Sequence, residues 1–364
     1  MLKKRIFLLL ISLCMIFPLS ACWDMEEIND RVFILGIGVD SAADGEYEFT
    51  FQTAQFLGES AYSNISITSD SLSRAVRELE KSSTNISFEH LSLVVLSDGA
   101  ARADFYNLLD YLFREGTIRR QCQVAVSPIP AKELLLKKTG NAGAAVYAAQ
   151  VLQSSDSSQV RSATMTLNRL YIVKSVGEGF YIPTLSTTDA EAVSGTDAPC
   201  FISVSGAYCY NAAGYSGTVS KSDAELIRLF SNGQTSGIIE SANIDGTVIR
   251  YKIESSSCDK SVRLKDDRLF FNIDLNIECS LIENPSDSEV DSDAIEKSLY
   301  SRLYPLTVQS RNKLGASILG LERTARQHYH SWYLSNHDKW DSLYRGSDIK
   351  LTINCTVRRV GSVT

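Results

Sequence analysis

The chain has 364 residues, which is longer than a single compact core usually holds, so its length predicts two or three domains. Apolar residues make up 44% of the chain and charged residues 22%, and this balance argues against an intrinsically disordered protein. The net charge is −7, and because residues 1–21 carry three basic residues and no acid, the remaining chain is more negative by three, near −10. That sign repels phosphate backbones and no basic stripe interrupts it, so the composition argues against nucleic-acid binding.

Residues 1–21 have the pattern of a signal peptide. Lys3, Lys4 and Arg5 form a positive start, and an apolar run of 12 residues follows from Ile6 to Phe17. A helix that crosses a bilayer needs about 20 apolar residues, so this run is too short for a comfortable membrane span. The pattern therefore predicts export of the chain.

The end of this segment resembles a bacterial lipobox, in which a Leu and two small residues precede a cysteine that receives lipid. Leu19, Ser20, Ala21 and Cys22 occupy those positions. The pattern predicts that Cys22 carries diacylglycerol as a thioether and an N-acyl chain, which together suffice for stable anchoring. The alternative is ordinary signal cleavage, with Cys22 as an incidental free thiol.

Strands and helices alternate in the following part of the sequence. Runs at 31–40 and 46–56 are rich in β-forming residues and flank the turn signal SAADG, which predicts a hairpin. The segment from Ser71 has apolar residues at helical spacing, which predicts an amphipathic helix. Short apolar strands then alternate with further helical segments, which predicts an α+β or α/β domain over residues 22–188.

Two smaller units are predicted after an acidic linker at 186–199. Residues 198–246 have the pattern of a small middle domain. Residues 247–364 predict a hairpin that turns at KDD or DDR, a long helical stretch kinked at Pro305 and a closing strand. The predicted fold class is therefore multidomain α+β, with mixed or antiparallel sheets, packed helices, and a C-terminal antiparallel sheet covered by a long helix.

Cysteine spacing gives little guidance on disulfides. Beyond Cys14 and Cys22 there are six cysteines, namely Cys122, Cys200, Cys209, Cys258, Cys279 and Cys355. Export permits disulfides, but there is no CxxC motif and four of the six lie in apolar alternating runs that favour buried free thiols. If one bridge forms, Cys258 with Cys279 is the most plausible pair, because both lie on strands joined by a short hairpin.

No catalytic or metal-binding constellation emerges. The sequence lacks a G-x-S-x-G elbow and an H-E-x-x-H motif. His90 heads an apolar strand with no nucleophile indicated, while His330 and His337 lie two helical turns, about 11 Å, apart. The run from Gly36 to Asp40 lacks the third glycine of a dinucleotide fingerprint and precedes a hairpin. The sequence thus predicts a protein that is not an enzyme and has no cofactor or metal.

An aromatic stripe near the C-terminus has two interpretations. Tyr329, Tyr333, Trp340 and Tyr344 fall on one helical face. Core packing is the favoured interpretation, and a surface for docking a partner is the alternative.

Ordered segments of the sequence resemble the Ger(x)C lipoproteins, the C subunits of bacterial spore germinant receptors. The first segment is ACWDMEEINDRVFILGIGVDSAADGEYEFTFQ, and later ones include the helix before His90, DYLFREGTIRRQCQVAVSP, and the C-terminal end from NKLGASILG onward. The family positions in the first segment are matched by Cys22, Trp23, Asp24, Glu27, Ile28, Asn29, Gly38 and Asp40. The chain departs from the family pattern at Ser317, where an Asp is usual, and at His330 and Ser331, where a Pro is usual.

This resemblance implies a non-enzymatic, lipid-anchored subunit of a nutrient germinant receptor, with Ger(x)C domains at 22–188 and 247–364. It implies integral-membrane A and B subunits as partners, at the outer face of the inner membrane of the spore. The alternative function is a substrate-binding lipoprotein of a transporter, which predicts two similar α/β lobes around a cleft.

Overall fold

The structure of the protein is a computed structural model. The structure describes residue 4 and residues 31–54, 62–82, 85–103, 105–139, 143–153, 164–189, 200–230, 237–242, 248–285 and 291–359. Within these ranges the chain forms two sheets with helices packed on them.

The first sheet is built from the N-terminal strands. They are β1 (Val32–Ser41), β2 (Tyr47–Ala54), β3 (Tyr62–Ser69), β4 (Ile86–Ser87), β5 (Leu93–Ser97), β6 (Gln123–Ser127), β7 (Met165–Thr166), β8 (Phe180–Asp189), β9 (Cys200–Asn211) and β10 (Gly214–Ser220). Eight of them follow the order β10-β9-β8-β6-β5-β1-β2-β3, with β4 beside β1 and β7 beside β6. The four central strands run parallel to one another, in the order β8, β6, β5 and β1. The outer strands, β9 and β10 on one side and β2 and β3 on the other, are antiparallel to their neighbours.

The second sheet is smaller. Its strands, in the order in which they pair, are β11 (Ile238–Ala242), β12 (Val248–Lys265), β13 (Arg268–Glu283) and β14 (Asp348–Arg359). The strands β12 and β13 form a hairpin that turns at Asp266 and Asp267, whose φ angles are 51° and 56°. Two consecutive residues with positive φ match the twist of a tight hairpin, so the predicted turn is confirmed.

Helices cover both sheets. They are α1 (Leu72–Ser82), α2 (Asp98–Arg102), α3 (Phe105–Arg114), α4 (Ala131–Leu136), α5 (Ala144–Gln153), α6 (Leu167–Ser175), α7 (Lys221–Ile227), α8 (Ser292–Gln309), α9 (Leu321–His328), α10 (His330–Asn336) and α11 (Trp340–Arg345). In the first sheet, α1, α3 and α6 pack on one face and α4 and α5 on the other. Parallel strands need cover on both faces, because both faces are apolar.

The long helix α8 covers the second sheet. Ile295, Leu299 and Leu303 recur every four residues along it and are fully buried against the strands. The helix continues through Pro305 and ends at Gln309. The first residue with a positive φ after the helix is Gly315, at 92°. None of the helices in the described ranges is both long and apolar enough to cross a membrane.

The fold class predicted from the sequence is confirmed, with one correction in the second sheet. The strand β14 runs parallel to β13, so this sheet is mixed and not wholly antiparallel. The helical segment from α8 to α11 returns the chain to the end of the sheet where β13 begins, and a crossover of this kind produces a parallel neighbour.

The segment at 198–246 does not form the separate middle unit that was predicted. Its strands β9 and β10 extend the first sheet, β11 joins the second, and α7 packs into the core of the second sheet. A unit of about 50 residues buries too little surface to be stable without further support. The core of the second sheet continues onto Cys209 and Val219, so the two halves share apolar contacts.

The predicted pairing of Cys258 with Cys279 is wrong. Cys258 lies opposite Leu275 in the hairpin, whereas Cys279 lies opposite Ile253. The Sγ atom of Cys279 instead lies 3.5 Å from the Sγ atom of Cys355 on the neighbouring strand β14. All six cysteines in the described residues are free and buried, so the interpretation as buried thiols is confirmed.

Candidate functional site

The predicted lipid-attachment segment lies outside the described residues. This applies to Leu19, Ser20, Ala21 and Cys22, whose roles therefore remain predictions. The first strand begins at Val32, so the body starts close in sequence to the predicted anchor.

The glycines of the first strand allow two helices to pack directly on its backbone. A Cβ atom at Gly36 would lie 2.3 Å from the Cβ of Ala145 in α5, and one at Gly38 would lie 3.2 Å from the Cβ of Ala131 in α4. Only glycine leaves room for these approaches without a shift of the helices. The GIGVD segment is thus a packing motif.

Asp40 lies one residue before the end of the same strand and fixes the start of α4. Its Oδ1 accepts a hydrogen bond from the amide of Ala131 at 2.7 Å, and its Oδ2 accepts one from the amide of Lys132 at 2.8 Å. The carboxylate is buried, and a negative charge at a helix N-terminus also interacts favourably with the helix dipole. This contact gives a physical role to the aspartate of the family motif.

Gln52 supports the same two helices from the second strand. Its Nε2 donates to the carbonyl of Leu135 at 2.7 Å, and its Oε1 accepts from the amide of Ala145 at 2.9 Å. Gln52 is 2% exposed, so both of these polar contacts are made inside the protein. Sequence reasoning missed this residue, because a single glutamine in a β-rich run carries no signal of such a contact.

A second polar cluster joins the two halves of the molecule. Glu322 in α9 accepts a hydrogen bond from the backbone amide of Gly179 at 3.1 Å and another from the hydroxyl of Tyr333 at 2.8 Å. On the other side of the junction, Glu178 accepts from a guanidinium nitrogen of Arg326 at 3.2 Å. Glu178 and Gly179, the two residues just before β8, therefore both bond to side chains of α9.

Glu322 is the most perturbed carboxyl group of this junction. It is 4% exposed, and burial raises its pKa to about 7, with smaller contributions from the charges of Glu178 and Asp341. The hydrogen bonds from Tyr333 and Gly179 act in the opposite direction but are outweighed. Sequence reasoning missed this group, because a single glutamate between a leucine and an arginine on a helix carries no signal of burial.

A polar cavity of about 460 Å³ lies at this junction. One wall comes from the first half, including Arg169 and Phe180, and the other from the second half, including Lys260, Leu319 and Arg323. Its volume is in the range of sites for small molecules.

Two of the histidines singled out from the sequence make other contacts. His90 is exposed and its ring meets the ring of Phe33 edge-on, with 5.0 Å between the centroids. His328 contacts the carbonyl of Thr324 in its own helix through Nδ1. In the described ranges, no group of three or more His, Cys, Asp or Glu side chains is placed to hold a metal ion.

The aromatic stripe belongs to the core. Tyr333, Trp340 and Tyr344 are at most 4% exposed, and Tyr329 packs against the same cluster. The interpretation as core packing is therefore confirmed.

The fold and these sites define a two-half α+β protein whose polar clusters mainly position backbone and join the halves. Comparisons with known proteins identify its family. The family described as "Spore germination protein N-terminal domain" matches residues 24–187, and the one described as "Spore germination B3/ GerAC like, C-terminal" matches residues 206–361. The chain belongs to the Ger(x)C family, the C-subunit-like proteins of germinant receptors in spore germination.

Individual relatives agree with this assignment. The chain is 22% identical to spore germination protein YndF of Bacillus subtilis, covering 100% of this chain and 98% of the relative. It is 24% identical to spore germination protein A3 of the same organism, covering 98% of each. The crystal structure of the GerBC protein has the same fold, with a TM-score of 0.61 and 15% identity over 92% of this chain and 100% of that one.

Proposed function

We propose that this protein is a lipid-anchored, non-enzymatic subunit of a nutrient germinant receptor, which docks on integral-membrane A and B subunits. The observation that carries the proposal is the match of both halves to germination families directly after a segment with a lipobox. The relative named spore germination protein A3 matches over nearly the whole chain. The proposed location is the outer face of the inner membrane of the spore.

The proposed anchor would restrict the body to a thin layer at the bilayer. Nine residue steps separate Cys22 from Arg31, and a fully extended chain covers about 30 Å over that length. The acyl chains on Cys22 therefore keep the N-terminal end of β1 within about 30 Å of the lipid surface. Such confinement raises the effective concentration for a membrane partner, even when the direct contact is weak.

The polar clusters have structural roles within the chain. Both carboxylate oxygens of Asp40 bind backbone amides, and Glu322 binds a backbone amide and a buried tyrosine. These groups position elements of the fold, and a catalytic role would require them to face a substrate.

The alternative of a substrate-binding lipoprotein lacks support from the architecture. It requires two similar α/β lobes, whereas here one half has a large mixed sheet with a parallel centre and the other has a four-stranded sheet. The receptor-subunit role is therefore the function that we propose.

The test is a pair of cysteine substitutions in the expressed full chain. Cys22→Ala removes the acceptor of the lipid, whereas Cys14→Ala removes a cysteine of the apolar run and serves as the matched control. We expect Cys22→Ala to abolish labelling by a radioactive or clickable fatty acid, to shift the protein from the membrane fraction to the soluble fraction, and to weaken the nutrient response of spores. Cys14→Ala should leave all three unchanged. Retention of label, membrane association and germination in Cys22→Ala would refute the proposal.

A further inference from the structure

The cavity between the two halves contains a cluster of cationic groups. The side chains of Arg169, Lys260 and Arg323 line it, and the first of these comes from the other half of the molecule. Cations from both halves therefore face one polar space of about 460 Å³.

Lys260 is the central group of this cluster. Its ammonium group is half-buried and donates a hydrogen bond to the backbone carbonyl of Phe230. Burial lowers the pKa of Lys260, and the charge of Arg323 lowers it further. Within the described ranges no carboxylate forms an ion pair with Lys260. A partly desolvated cation beside a second cation is unfavourable unless an anion is supplied from outside.

The acids of the wall do not supply that anion. Glu178 is already engaged by Arg326 at 3.2 Å and by Arg323 at 3.8 Å. Asp259 is exposed and precedes Lys260 on β12, where successive side chains point to opposite faces of the sheet. His328 also lines the cavity, and its ring contacts the carbonyl of Thr324.

We propose that this cavity binds a small organic anion, with its carboxylate or phosphate group held between Lys260, Arg323 and Arg169. Arginine matches such groups with two parallel hydrogen bonds, and the ammonium group adds a point charge. The apolar lining at Phe180 and Leu319 would contact the remainder of the molecule. Because the cations come from both halves, the bound anion bridges them. This inference does not depend on the lipid anchor.

The experiment uses the purified full chain in a nonionic detergent, with thermal unfolding as the readout. Inorganic phosphate and acetate are the probes, added separately up to about 20 mM at constant ionic strength held with chloride, which detects millimolar dissociation constants. A ligand that binds the folded state raises the unfolding temperature in a saturable manner. The two probes distinguish a site for phosphate groups from a site for carboxylates.

Lys260→Met is the informative variant, because it keeps the aliphatic length and removes the charge. Lys252→Met is the matched control, since Lys252 lies on the same strand and is exposed. We expect at least one probe to stabilise the wild type and Lys252→Met equally, and its apparent affinity to fall about tenfold or more in Lys260→Met. In buffer without the probes, Lys260→Met should unfold near the temperature of the wild type, because removal of a half-buried charge and loss of the hydrogen bond to the carbonyl of Phe230 act in opposite directions.

Arg169→Gln is a second variant. Arg169 lies in the first half and is exposed, so its substitution should not disturb the fold of the second half. It should also weaken binding of the effective probe. The proposal is overturned if neither probe gives a saturable stabilisation of the wild type, or if Lys260→Met and Arg169→Gln respond as the wild type does.

Discussion

Two buried carboxyl groups, Asp40 and Glu322, show how differently the first half and the junction of the molecule are held. Asp40 receives two backbone amides at 2.7 and 2.8 Å from a single helix start within one half. Glu322 receives one amide from the other half and one tyrosine hydroxyl, and burial raises its pKa to about 7. The first contact fixes a helix start within one half, whereas the second joins the two halves through a carboxyl group whose pKa is raised to about 7.

Removal of the first carboxylate should have the largest effect on stability. Asp40→Ala leaves two amides at the start of α4 without their acceptor, and loss of a charged cap at a buried site costs about 3 kcal/mol. Chemical denaturation of the variant measures this change in the free energy of unfolding. Glu46→Ala, at an exposed position in the turn of the same hairpin, should change it by less than about 0.5 kcal/mol. Equal stability of the two variants would show that Asp40 does not hold α4.

The close approach of the helices to β1 should rank second. Gly36→Ala places a methyl group 2.3 Å from the Cβ of Ala145, and such overpacking costs about 2 kcal/mol. The double variant with Ala145→Gly relieves the clash, so the two changes should couple by about 1 kcal/mol in a double-mutant cycle. If the effects of the two substitutions are strictly additive, the cost of Gly36→Ala does not come from its contact with Ala145.

Glu322→Gln should give the smallest effect at low pH, where the native side chain is neutral as well, and an effect that changes as the pH rises. Because its folded pKa is raised from 4.5 to about 7, the folded protein holds a proton that the unfolded chain has released between these values. The contribution is therefore fully present below pH 4.5 and is lost as the pH rises towards 7, at no more than about 1.4 kcal/mol per pH unit.

Glu322→Gln tests this behaviour, because the side chain of glutamine is neutral at every pH and has the shape of the protonated glutamate. Unfolding measured from pH 4.5 to pH 8 should show a weaker decline in stability than in the wild type. Glu89→Gln, which changes an exposed carboxylate, is the control and should follow the wild-type profile. A Glu322→Gln profile parallel to that of the wild type would contradict a titrating group at the junction.

The sequence predicted the contacts that are local in the chain. The first hairpin and the turn at Asp266 and Asp267 were predicted because strand pattern and turn residues lie within a few positions of one another. Gly36 and Gly38 lie on the first strand of the first hairpin. Why these glycines are required became clear only with the helices that pack on them.

The contacts between distant segments were not predictable from one sequence. Gln52 binds partners 83 and 93 residues away, and Glu322 binds an amide 143 residues away. No local pattern encodes such partners. The parallel pairing of β14 with β13 was missed for the same reason, because direction depends on the path of the intervening helices.

Mass spectrometry of the mature protein extracted from membranes tests the central claim most directly. The account predicts a chain that begins at Cys22 and carries a diacylglyceryl group on the sulfur, with or without an additional N-acyl chain. A mature chain that begins at another residue, or one that begins at Cys22 with an unmodified thiol, would contradict it.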